Sequence, residues 1–151
     1  LTIAPHYSWE YPVRVQPHHT DYAGVVWHGT YVAWMEEARV EYLRSRDIDF
    51  AHWVACDVDL PVVELSLQYR QPLTLGQLAI VKTWPAPPQG VRLVWHCDIQ
   101  NQATGATCVA GQVTLVPVSR SRGKVWRQLP APVKADFARL YPAADAPPAT
   151  S

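Results

Sequence analysis

The sequence is poor in features that would assign it to a class at once. None of its 151 residues belong to an apolar run of the ~18 needed to cross a bilayer as a helix, so a transmembrane helix is excluded. The opening Leu1-Thr2-Ile3-Ala4-Pro5-His6 has neither the basic start nor the apolar centre of a signal peptide. It begins on Leu rather than Met, so the numbered chain is expected to be trimmed, and a cytoplasmic location is expected. Cysteine is scarce: Cys56, Cys97 and Cys108 are odd in number and lack CxxC spacing. That pattern suits neither a disulfide framework nor a zinc site, and the apolar runs around Cys97 and Cys108 point to small buried thiols. Net charge is absent too, since 13 Lys and Arg balance 13 Asp and Glu. General nucleic-acid binding, which needs a cationic surplus, is therefore excluded.

What is present describes a globular chain. With 48% hydrophobic and 17% charged residues it is far too apolar for a disordered one. The length suits one domain, expected over residues 1–141, with a disordered Ala-, Pro-, Ser- and Thr-rich tail over 142–151. The zero balance hides a split. Residues 1–60 carry 9 acidic and 4 basic side chains, and residues 61–151 carry 4 acidic and 9 basic.

Hydrophobic periodicity gives the element order. From Tyr7 to Gln16 the odd positions are apolar or aromatic, which marks a half-buried strand, with Pro12 signalling an edge or a bulge. A polar break at Pro17-His18-His19-Thr20 precedes a Gly-punctuated run, Asp21 to Gly29, read as an ordered loop. Tyr31, Trp34, Met35, Ala38 and Tyr42 then follow the i, i+3, i+4, i+7, i+11 spacing of a helix over Thr30–Arg46. Glu36, Glu37, Arg39, Glu41 and Arg44 fall off that stripe. So aromatic a stripe suits a helix wrapped by a sheet. Four strand patterns follow, at Val63–Tyr69, Leu78–Trp84, Val91–Ile99 and Cys108–Val116, and Val133, Phe137 and Leu140 share one face of a short terminal helix. The expected class is α+β, with one long helix packed on an antiparallel sheet of about five strands.

Chemistry concentrates in the loop before the helix. Asp21 lies there with His18, His19 and His28, and Gly24 and Gly29 allow close backbone approach. A helix starting near Gly29 leaves its first N–H groups free to polarise a carbonyl oxygen. A carboxylate beside them supplies a nucleophile or general base, and the two together suffice for acyl transfer. An Asp in such a loop also serves simply as a turn residue.

The run Asp21-Tyr22-Ala23-Gly24-Val25-Val26-Trp27-His28-Gly29-Thr30-Tyr31, continuing through Glu36-Glu37-Ala38-Arg39, resembles the signature of the 4-hydroxybenzoyl-CoA thioesterase family. The likeness extends more loosely to Val62–Pro72 and covers roughly Glu10 to Val116. It implies the hot-dog fold, a curved antiparallel sheet around one long central helix. It also implies that Asp21 is the catalytic carboxylate, as nucleophile through an acyl-aspartyl anhydride or as base for water. By the same resemblance the His28 backbone N–H polarises the thioester carbonyl, its side chain orients water or substrate, and Trp27 and Gly29 help position the substrate. A homodimer or homotetramer with sites between subunits follows, acting on a coenzyme A thioester as substrate and needing no cofactor or metal. Relatives often have an acidic residue where this chain has His19; protonated, His19 would lower the pKa of Asp21.

Other residues are weighed against ordinary roles. Glu37 is a reserve base, although Glu36, Glu37 and Glu41 suit a solvated or ion-paired helix face. His52 and His96 have no motif around them. Ser66 is a strand residue that could line a pocket opposite the helix start. Arg70, Lys82, Arg120, Arg122 and Lys124 are candidates for the coenzyme A phosphates, with Arg120-Ser121-Arg122-Gly123-Lys124 the best cluster. Trp27 and Trp34 could wall an aromatic acyl pocket. The reading is hydrolysis of an acyl- or aroyl-CoA, with 1,4-dihydroxy-2-naphthoyl-CoA and 4-hydroxybenzoyl-CoA as possible substrates. A hydratase or dehydratase using His28 with Glu37, or a non-catalytic acyl-CoA-binding module, are the alternatives.

Overall fold

Alternation in the sequence becomes alternation in burial. In β4 (Leu93–Asn101) Leu93, Trp95, Cys97, Ile99 and Asn101 are buried, while the residues between them are half-exposed. A computed structural model describes residues 3–141, so the tail expected over 142–151 lies outside the described residues. Before β4 come β1 (Trp9–Arg14), α1 (Thr30–Ser45), α2 (Phe50–Ala55), β2 (Val62–Tyr69) and β3 (Leu78–Pro85). After it come β5 (Thr107–Leu115), β6 (Val118–Ser119), β7 (Lys124–Val125) and α3 (Ala131–Arg139). The main sheet is antiparallel throughout, in the order β1-β3-β4-β5-β2, and β6 and β7 form a separate hairpin.

The aromatic stripe of α1 is its buried face. Tyr31, Trp34, Met35, Ala38 and Tyr42 are all inside, with Leu43 beside them. Tyr31 stands edge-on to Trp34 at 5.5 Å, and Tyr42 edge-on to Trp95 of β4 at 5.1 Å. Each large side chain buried in this way contributes roughly 1.5–3 kcal/mol. A five-stranded sheet wrapped on one buried helix is the hot-dog fold, as expected. Among the described residues no helix is long and apolar enough to cross a membrane.

Two parts depart from the sequence reading. A second helix, α2, is capped by Asp49, whose carboxylate accepts the Ala51 N–H, and it buries Trp53 completely. The Trp53 Nε1–H donates to Asp136 of α3 at 2.8 Å, which ties the terminal helix to the body. The basic cluster 120–124, expected to follow the last strand, instead forms the turn of a further hairpin, β6–β7, with Lys124 in β7. Asp57 braces it, accepting hydrogen bonds from the Ser119 and Ser121 hydroxyls and the Ser121 N–H.

The two sheet edges differ. β1 is short and carries Glu10, Pro12 and Arg14, which discourage further pairing. β2 is the other edge, and its Val62, Val63, Leu65 and Tyr69 are all exposed.

Candidate active site

The loop from Thr20 to Val26 closes on itself through a bridge between its ends, and the Asp21 N–H donates to Val25 O at 2.9 Å. Gly24 lies at φ 76°, a left-handed conformation that favours glycine, although a Cβ there would meet nothing. The loop is sewn to the segment after β2 by Val26 N–H to Leu73 O and Leu75 N–H to Gly24 O. It is sewn to the helix start by His19 O, which accepts both the Trp27 N–H and the Thr30 hydroxyl. Asp21 and the first turn of α1 therefore share one end of the molecule.

Asp21 is half-buried, and its Oδ1 accepts the Ala23 N–H at 2.8 Å. The turn bond uses Oδ1 alone, and Oδ2 has no donor among the described residues. Gly29 caps α1 in right-handed backbone without a side-chain cap. Neither the His28 nor the Gly29 backbone N–H has an acceptor among the described residues. Two free amides at a helix start, at the same end of the molecule as a carboxylate with a free oxygen, are groups of the kind acyl transfer uses.

Beside them lies a cavity of about 260 Å³ lined by Val26, His28, Tyr31, Tyr69, Arg70, Gln71 and Pro72. His28 is exposed, with its ring 4.8 Å from that of Trp27. The Tyr69 hydroxyl donates to His28 O at 2.9 Å, and burial pushes the Tyr31 hydroxyl pKa up to about 12, so it stays protonated. Sequence reasoning missed Tyr69; its only signal was being the last apolar residue of an alternating strand.

The remaining candidates are placed as follows. Of the basic residues, Arg70 borders this cavity and also the outer-face cleft lined by Ser66, where its Nη2 donates to Gln68 Oε1 at 3.1 Å, whereas Arg120, Arg122 and Lys124 lie on the β6–β7 hairpin, by the Val62 end of β2. Arg122 stacks over Trp126 at 4.1 Å. Lys82 pairs with Glu10 on the sheet. Glu37 accepts the Tyr11 hydroxyl at 3.0 Å, on the β1 side of α1, and is not brought to His28. Glu41 pairs with Arg44. Trp34 is 1% exposed and belongs to the core, so of the two tryptophans only Trp27, 51% exposed, is free to meet a ligand. Ser66 lines a cleft of about 230 Å³ with Trp84, His96 and Gln112, on the sheet face turned away from α1. His52 lies 3.9 Å from the Cys56 sulfur, and His96 stacks on Trp84.

The expected protonated His19 is corrected. Its Nδ1 accepts the Gln16 N–H at 2.9 Å, which requires an unprotonated nitrogen, and its ring packs edge-on to Trp34 at 5.1 Å. Burial first, then neighbouring His18, lowers its pKa, against smaller opposing effects of Glu37 and the Arg14 backbone. His19 is a neutral brace of the loop.

Residues 23–108 match the thioesterase superfamily. The chain is 50% identical over 132 residues to the Synechocystis protein sll0410, provisionally named an esterase, covering 87% of this chain and 80% of that one. It is 32% identical over 129 residues to the acyl-CoA thioester hydrolase YbgC of Escherichia coli, covering 85% and 95%. Among solved structures, the 1,4-dihydroxy-2-naphthoyl-CoA thioesterase Slr0204 of Synechocystis superposes with a TM-score of 0.80 at 21% identity, over 93% of this chain and 99% of that one. The chain belongs to the thioesterase superfamily. It is a thioester hydrolase.

Proposed function

We propose that the chain hydrolyses coenzyme A thioesters, releasing free acid and coenzyme A, with Asp21 as the catalytic carboxylate. The observation that carries this is the free Oδ2 of Asp21 at the same end as the unpartnered His28 and Gly29 N–H groups. The amides hold the oxygen that becomes negative when the thioester carbonyl is attacked. Two routes share this geometry. Asp21 attacks the carbonyl, coenzyme A leaves as its thiol, and water cleaves the resulting anhydride; or Asp21 takes a proton from the water that attacks.

The acyl group lies in the cavity between Tyr31 and Tyr69, whose aromatic walls favour a flat acyl group such as 4-hydroxybenzoyl or 1,4-dihydroxy-2-naphthoyl. The superposition on Slr0204 fits the second of these, and an aliphatic acyl group fits the relationship to YbgC. Arg70 at the rim meets the phosphates. The exposed apolar β2 edge supports a homodimer. An antiparallel pairing of β2 with its copy would carry each hairpin bearing Arg120, Arg122 and Lys124 toward the other subunit's Arg70, completing a site between subunits.

Asn at position 21 preserves the bond to the Ala23 N–H and removes the charge. Thiol release from a panel of aliphatic and aromatic coenzyme A thioesters is expected to fall by at least about 100-fold in Asp21→Asn. Turnover that survives the change would refute the assigned catalyst, and the panel ranks the acyl groups.

A further inference from the structure

Tyr69 does more than line the cavity. The oxygen it binds, His28 O, belongs to the same peptide group as the Gly29 N–H. A peptide group is planar, so fixing its carbonyl oxygen fixes the direction of its N–H. The preceding peptide is held in the same manner, because Trp27 O accepts the Thr30 N–H at 2.9 Å and so orients the His28 N–H. Both free amides thus sit in peptide groups whose carbonyls are tied down. One is tied by the helix itself. The other is tied by a side chain from β2, 41 residues away in sequence.

The bond also acts electronically. A carbonyl that accepts a hydrogen bond polarises its peptide group and makes the attached N–H a stronger donor. The Tyr69 ring is held for this task by Tyr31, whose ring centroid lies 5.8 Å away.

We propose that Tyr69 is a positioning residue that aims and strengthens the Gly29 N–H as a second donor to the thioester carbonyl, beside that of His28. This rests on the reading of Asp21 and the helix start as the reacting site. Tyr69 never touches the substrate oxygen in this role. It works through one peptide group. The donor it sets is useful to the extent that charge develops on the oxygen, so its loss falls on kcat rather than on KM.

The test is Tyr69→Phe, which keeps the ring and removes only the hydroxyl. Half of this side chain is solvent-exposed, so the fold does not depend on it. The variant is expected to lose about three- to tenfold in kcat, with KM within about twofold of the parent. The second readout is vibrational. In Asp21→Asn a bound aromatic thioester persists, and the infrared frequency of its carbonyl reports how strongly the amides polarise it. Asp21→Asn with Tyr69→Phe is expected to show a smaller red shift than Asp21→Asn alone. An unchanged carbonyl frequency in the double variant, or a loss confined to KM, would overturn the role of Tyr69. If the parent enzyme hydrolyses no coenzyme A thioester at all, it is the reading of the site that fails.

Discussion

The indole of Trp27 lies over the Cα of Gly29 so closely that a Cβ there would stand 2.3 Å from the ring's Cζ3. Glycine is required at this position by the neighbour and not by the backbone, whose φ of −77° and ψ of −22° any residue adopts. Gly29→Ala is therefore expected to push the half-exposed indole aside and destabilise the parent. In Trp27→Ala the three nearest obstructing atoms are gone, so the same change should cost less than in the parent. A double-mutant cycle by urea unfolding checks this; equal costs in both backgrounds would show that the ring is not the obstacle.

His19 supplies an acceptor to Gln16 and an edge-on contact to Trp34. His19→Ala is expected to cost about 1–2 kcal/mol, the sum of a hydrogen bond and an aromatic contact. The sign with pH follows from its lowered pKa. The folded state prefers the neutral ring, so the contribution is fully present above the ordinary value of 6.5 and fades as pH falls below it. Thermal melts of parent and variant should thus converge in acid. A gap that widens on acidification would contradict the neutral brace.

Asp57 gives a second acid-sensitive device at the other end of the molecule. Hydrogen bonds from Ser119 and Ser121 hold its carboxyl at about 2, against 3.8 ordinarily. The stabilisation is present above 3.8 and lost as pH falls toward 2. Asp57→Asn should flatten the difference in stability across that window. Parallel curves for the two proteins between about pH 4 and 2 would rule the brace out.

The edge of β2 predicts assembly. Leu65 is 44% exposed on a strand whose outer backbone groups have no partner strand among the described residues. Leu65→Asp puts a charge where a second copy would pack, and is expected to convert a dimer to a monomer by light scattering, with activity lost alongside. A variant that remains dimeric would place the interface elsewhere.

Much of this was legible in the sequence because burial imposes period. The five stripe residues of α1 are all inside, and the alternation at Val91–Ile99 became the one-in, one-out burial of β4. What was not legible depends on contacts between distant segments. The six residues of α2 are too few to show a period. The sheet order places β2 beyond β5, so Arg70 and the Arg120 cluster part company within one chain although they look alike in sequence. Tyr69 was hidden for a related reason: its function lies in a hydroxyl meeting a backbone oxygen, which no residue pattern encodes. The aspartate loop was found by its motif, and geometry then separated its two oxygens.

Pro12 has a final consequence. Proline in the β1 edge removes a backbone donor and disfavours growth on that side of the sheet, while β2 has no outer partner strand among the described residues. A sheet with one sealed margin can be extended once, by a copy presenting the same open margin, and the product has sealed margins at both ends. Growth through edges is therefore expected to stop at two copies, and any larger particle to be built face to face.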